Sequence, residues 1–278
     1  MNRLDEIVQY KRVNRTPPST TDLEARAAAA PPPISLLETM GTHRAVVIAE
    51  CKKASPSAGV LAADYDPVGL AKMYEDAGAS AISVLTDEHF FQGSLEHLTA
   101  VRAAVEIPVL RKDFTLWESD VLEARAHGAD LILLIVRILT DSELARLLRA
   151  TTDLGMEAIV EVHDESEVTQ ALEVGAPLIG VNNRDLATLG TDLEVTERLL
   201  RMIPAQVAVI GESGINTGAR VARLREAGAR GVLVGEALMR AADPDALLRE
   251  LVDAGCPDCW RMRLKESNSE PVRDEVTI

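Results

Sequence analysis

The sequence predicts an α/β fold, a closed barrel of eight βα units behind an N-terminal helical extension. Eight apolar runs, at about 45–51, 80–85, 107–111, 131–136, 157–161, 178–182, 206–211 and 231–235, are each followed by a helical pattern. The runs are apolar at both odd and even positions, as parallel strands covered by helices are. A short phrase also recurs between helix and strand: "AGAS" (77–80), "HGAD" (127–130), "VGAP" (174–177) and "AGAR" (227–230). Its glycine suits the left-handed position just past a helix end. Eight such units spread over about 210 residues match the (β/α)8, or TIM, barrel, whereas a doubly wound open sheet stops at five or six.

Taken in order, residues 1–44 precede the first strand. "TTDLEARAAAAPPPISLLETM" reads as two short helices around a triple-proline break. The extension is expected to pack on the barrel, which spans 45–255. Within the barrel, "DPVGLAKMYEDAG" and "DPDALLRELVDAG" each carry an Asp N-cap, Pro at the first helical position and a closing Gly. "TDSELARLLRATTDLG" offers Thr140 and Glu143 as a capping box, with Leu144, Leu147 and Leu148 on one side. Residues 256–278 are polar and irregular and read as a tail.

Composition narrows the function. Apolar residues make up 47% and aromatics 3%, so the core is aliphatic. A formal charge of −15 argues against nucleic acid as a partner, because phosphate-backbone binding needs a basic surface. Three cysteines, Cys51, Cys256 and Cys259, make no disulfide framework and fit a reducing compartment. There is no apolar leader segment and no run of about 18 apolar residues to span a membrane. The chain reads as a cytoplasmic protein, a monomer or weak homo-oligomer. The five histidines lack metal-ligand spacing, and of them only His163 lies near a strand end. Cys256-Pro-Asp-Cys259 is a lone CxxC without the further ligands zinc needs. No metal or cofactor is expected.

Charged residues cluster where such a barrel does chemistry, at the C-terminal ends of its strands. "VVIAECKKASPSAG" ends in Glu50 and Lys52, "PVLRKDF" holds Lys112, "AIVEVHD" holds Glu161, "IGVNNRDL" holds Asn182 and Arg184, and "VIGESGI" holds Glu212 and Ser213. Strand side chains two apart face the same way. If Ile48, Leu110, Ile159 and Ile210 point into the barrel, then Glu50, Lys52, Lys112, Glu161 and Glu212 point into its mouth. One such charge would be an ordinary loop residue; five strands that end this way make a site. Of 29 basic residues only six are Lys, and Lys52, Lys53 and Lys112 are half of them. Lys, unlike Arg, loses its proton when the environment favours it, so Lys52 and Lys112 are candidate proton donors. "GESGI" and "VGEAL" end the seventh and eighth strands, where barrels often cradle phosphate with backbone N–H groups. Phe90, Phe91 and Phe114, the only phenylalanines, follow the second and third strands and are placed to stack on an aromatic ring.

These motifs, in this order across about residues 30–255, resemble the indole-3-glycerol phosphate synthase family of tryptophan biosynthesis, which also carries an N-terminal helical segment. The resemblance implies ring closure, decarboxylation and dehydration of 1-(2-carboxyphenylamino)-1-deoxyribulose 5-phosphate, a small phosphorylated substrate, without a cofactor. It implies Lys112 as general acid and Glu161 as general base. Lys52 would hold the substrate carboxylate and supply a second proton, with Glu50 orienting both lysines. Asn182 and Arg184 would bind the anthranilate portion, and Glu212 the sugar chain. Ser55, Ser213, Gly214, Gly235 and Glu236 would hold the phosphate, with Phe91 and Phe114 on the ring. A cation beside a catalytic lysine would lower its pKa and ready it to donate. Two alternatives differ in their residues. A phosphoribosylanthranilate isomerase would want a Cys/Asp pair at the mouth, yet alternation turns Cys51 outward. A non-catalytic barrel would be expected to have lost a mouth residue.

Overall fold

A computed structural model describes residues 3–15, 19–40, 45–56, 58–185 and 190–256. Eight parallel strands close into a barrel: β1 (Val46–Cys51), β2 (Ala81–Leu85), β3 (Val109–Lys112), β4 (Leu131–Ile135), β5 (Glu157–Val162), β6 (Leu178–Asn182), β7 (Ala208–Glu212) and β8 (Gly231–Val234). Each pairs with its sequence neighbours, and β8 returns to β1 through the register Val46↔Gly231 and Ile48↔Leu233. The local signals are used as expected. Asp66 accepts from the Val68 and Gly69 amides, Asp243 from that of Ala246, and Thr140 and Glu143 form a capping box. Gly78, Gly128, Gly175 and Gly228 all have left-handed φ, between 76° and 113°, which lets each helix stop and turn into the next strand.

Alternation divides the core in two. Val46, Ile48, Leu110, Leu131, Leu133, Ile159, Leu178, Ile210 and Leu233 fill the barrel. Their neighbours, among them Val47, Ala49, Cys51, Val84, Ile132 and Val160, face the helical shell. Cys51 is fully buried on that outer side and burial pushes its thiol pKa up, so it takes no part in the mouth. The isomerase alternative fails at this residue.

The extension runs the length of the barrel. A helix at Arg3–Asn14 buries Leu4, Ile7 and Lys11, and its Arg3, Leu4 and Ile7 roof the mouth. Lys11 forms a buried ion pair with Asp113 and lies 3.5 Å from Asp87, while Arg15 bonds Glu123 at 2.6 Å. The helix Thr20–Ala29 then descends along the helix Glu118–Ala126. Beyond the prolines, Leu36 plugs the opposite end of the barrel with no exposed surface. Glu157, at the start of β5, accepts there from the Ser35 hydroxyl and from the Leu36 and Leu37 amides, at 3.0 and 3.2 Å for the two amides. The Arg3–Asn14 helix and a two-stranded hairpin, Ala54–Ser55 with Gly59–Val60, add to the elements read from sequence. The tail 256–278 lies outside the described residues except for Cys256, so the CxxC partner Cys259 does too.

Candidate active site

At the C-terminal mouth the inward positions change from aliphatic to ionic within one turn of the pleat. A cavity of roughly 860 Å³ is lined by Glu50, Lys52, Ser55, Phe91, Lys112, Phe114, Glu161, Asn182, Arg184, Glu212, Ser213, Gly214, Gly235 and Glu236. The site residues implied by the family resemblance are thus all brought to one place. Phe90 is not; it packs edge-on against Tyr10 and His89 instead.

Lys112 is the hub. Its Nζ lies 3.3 Å from Glu161 Oε2 and 3.3 Å from Glu212 Oε2. Burial opposes its charge, but Glu212, Glu161 and Glu50 outweigh burial and raise its pKa. This corrects the expectation of a cation-lowered lysine: barrel closure brings carboxylates from three strands to it. Lys52 bonds Glu50 at 2.6 Å, and Glu50 accepts weakly from the Ser83 hydroxyl at 3.4 Å. Burial would raise the Glu50 pKa, yet Lys52 and Lys112 hold it below the ordinary carboxylate value. For Glu161, burial is likewise overcome, by Lys112 and His163 and by the Asn182 amide, which donates at 3.2 Å.

Glu212 is the exception. Burial, Glu161 and Glu50 together outweigh Lys112 and push its pKa up to about 7. Its Oε1 is buried without a hydrogen-bond partner. The fold makes room for it through Gly180, where an added Cβ would lie 2.3 Å from Glu212 Oε1; Gly235 does the same for Glu50 Oε1, also 2.3 Å away. An acid whose folded pKa exceeds its unfolded value stabilises the fold at low pH and loses that contribution as pH rises through the folded value. Glu212→Gln is therefore expected to gain about 3 kcal/mol on the wild type between pH 4.5 and 7.5. Denaturant unfolding of both proteins across that range checks it; a constant difference refutes it.

The far side of the cavity suits an anion. Ser213 and Gly214 both have left-handed φ, 66° and 78°. Ser213 is one of two non-glycine residues so placed among those described, a strained geometry that clusters at functional sites. Asn183 holds this turn by donating to the Glu212 and Ser213 carbonyls at 2.9 and 3.2 Å. Glu236 opens a short helix, and its side chain reaches Arg184 at 3.3 Å and Arg240 at 3.1 Å. The Phe91 and Phe114 rings, 6.0 Å apart and tilted by 42°, form an aromatic wall of the same cavity. Sequence reasoning missed the roof of Arg3, Leu4 and Ile7, although the spacing of Leu4, Ile7 and Lys11 is that of one helix face. No group of three or more His, Cys, Asp or Glu among the described residues is arranged to hold a metal ion.

The comparisons agree with this geometry. 3-Hexulose-6-phosphate synthase shares the fold, with a TM-score of 0.60 and 22% identity over 75% of this chain and 99% of that one. The indole-3-glycerol phosphate synthase of Roseiflexus sp. (strain RS-1) is 49% identical over 261 residues, covering 89% of this chain and 97% of that protein. That of Mycobacterium avium (strain 104) is 51% identical over 242 residues, covering 87% and 89%. The family model for indole-3-glycerol phosphate synthase matches residues 4–251. With the barrel, the ionic mouth and these relatives in agreement, the chain belongs to the indole-3-glycerol phosphate synthase family.

Proposed function

We propose that the cavity performs the family's carboxy-lyase step of tryptophan biosynthesis by Lys/Glu acid–base catalysis. The observation that carries this reading is Lys112 held by carboxylates from separate strands, in one cavity with the aromatic wall and the strained Ser-Gly turn. The substrate, 1-(2-carboxyphenylamino)-1-deoxyribulose 5-phosphate, is an anion at both ends. Ser55, Ser213, Gly214, Gly235 and the Glu236 backbone take the phosphate. Phe91 and Phe114 pack against the ring, Lys52 and Arg184 face its carboxylate, and Asn182 and Glu212 position the hydroxyls. Clamping both ends bends a flexible chain so that the ring carbon meets the ketose carbonyl, which removes much of the entropic barrier.

As the carbon–carbon bond forms, negative charge grows on the carbonyl oxygen and Lys112 transfers a proton to it. A raised pKa does not prevent this, because the developing alkoxide is more basic still. Carbon dioxide then leaves from the ring carbon that made the attack, and the electrons of the broken bond restore the aromatic ring. In the dehydration, Glu161 removes a ring-system proton while Lys52 protonates the departing hydroxyl. Glu50 orients both lysines. No helix among the described residues is long and apolar enough to cross a membrane, and a cytoplasmic location with no nucleic-acid partner fits the charge of −15. We place the enzyme there as a monomer or weak homo-oligomer.

Purified protein mixed with the carboxyphenylamino ketose phosphate and a metal chelator is expected to develop indole fluorescence. A folded protein that leaves the substrate unchanged would reject the reading.

A further inference from the structure

His163 lies two residues past Glu161, beyond the end of the strand, where alternation no longer says which way a side chain faces. The structure turns it to the mouth, and it lines the cavity. Its ring is held from behind. Nδ1 lies 3.0 Å from Glu167 Oε2, on the helix Glu165–Glu173, and the His163 backbone amide donates to the same oxygen at 2.7 Å. Glu167 is fixed in turn by Arg137, from the turn after β4, whose Nη2 also bonds Asp164 at 2.8 Å. The other nitrogen, Nε2, is buried, makes no hydrogen bond and faces Glu161 Oε1 at 3.4 Å. A nitrogen that is desolvated, unpaired and pointed at a carboxylate is costly unless that carboxylate uses it.

We infer that His163 is a positioning residue for Glu161: its imidazolium, oriented by Glu167, keeps Glu161 ionised and aimed into the cavity. The inference rests on the assignment of Glu161 as the general base. The charged groups around the ring are Glu161 from its own strand, Glu167 and Asp164 at the following helix, and Arg137 from the neighbouring turn. Burial and Arg137 work against the imidazolium, but Glu167 and Glu161 prevail and its pKa is raised. In return it helps to lower that of Glu161. Lys112 alone would do part of this, but Lys112 is shared with Glu212 and gives up its proton during the reaction. His163 is a cation that stays when that proton leaves.

The test is His163→Gln, which keeps polarity and size but cannot become a cation. The expected result is about a tenfold fall in kcat at neutral pH, with KM within about twofold. The acidic limb of the kcat profile should move up by about one pH unit, because Glu161 without its cation protonates more readily. In a Glu161→Gln background the same change should cost less than about twofold, since both act through one group. A uniform loss at every pH, or a full further loss in the Glu161→Gln background, would leave His163 a purely structural role and overturn the inference. Should His163→Gln fail to fold, the His163 ring can be titrated by NMR in the wild type and in Glu161→Gln. Its pKa should fall in the latter, and an unchanged value overturns the inference as well. If Glu161→Gln itself retains full activity, the base assignment fails, and the NMR titration still decides whether the two side chains are coupled.

Discussion

Lys112→Ala is expected to lower kcat by about 10³-fold while substrate binding stays within about tenfold of the wild type. The asymmetry follows from the geometry. Lys112 sits at the centre of three carboxylates, whereas the substrate's ends would be gripped by other groups, the strained Ser-Gly turn and the aromatic wall. Binding therefore persists, but the alkoxide of ring closure has no proton at hand. Lys112→Arg should be almost as damaging. It keeps the charge and satisfies Glu161 and Glu212, yet a guanidinium does not release its proton in a protein. Single-turnover kinetics separates binding from chemistry in both variants. A kcat near normal in Lys112→Arg would show that charge alone matters at this position and would end the acid assignment.

Glu161→Gln should cost about 10²-fold in kcat, and the loss should lie in the dehydration, after carbon dioxide has left. Carbon dioxide release measured in the first turnover should then outpace indole formation, whereas in the wild type the two run together. The pH dependence sharpens the prediction. Lys112 and His163 hold the wild-type Glu161 below the ordinary carboxylate value, so wild-type activity is expected to persist well into the acid range and to fall only as Glu161 protonates. Glu161→Gln should lack that acidic limb. An unchanged limb would assign it to another group and remove Glu161 from the base role.

Strand alternation was enough to place Glu50, Lys112, Glu161 and Glu212, because a residue two beyond a buried aliphatic shares its direction and the barrel interior is unambiguous. Where alternation stops, so does legibility. His163 lies one residue past β5, and its direction is set by Glu167, a contact made by the next helix. The Lys112 environment was misjudged for a related reason. Local sequence puts Arg111 and Asp113 beside it, but those face the outer shell and the roof, while its true neighbours arrive from β1, β5 and β7. Gly235 reads from sequence as a phosphate residue and Gly180 carries no signal of its own; what demands both is a carboxylate oxygen from a different strand, 2.3 Å from where a Cβ would stand. The roof over the mouth was the hardest to see, since Lys11 meets Asp113 across 102 positions of sequence.

That separation has a consequence for how the molecule is made. The stretch carrying Leu4, Ile7, Leu23 and Leu36 leaves the ribosome before the surfaces that receive it, Asp113 and Glu157, which follow more than a hundred residues later. At about 5–20 residues per second it waits roughly 5–20 s with its greasy side uncovered. This segment, made before the surfaces that receive it, thus settles after them. A nascent chain halted before β5 would lack Glu157, which anchors the Leu36 plug, and it would be a natural client for chaperones that shield apolar surface.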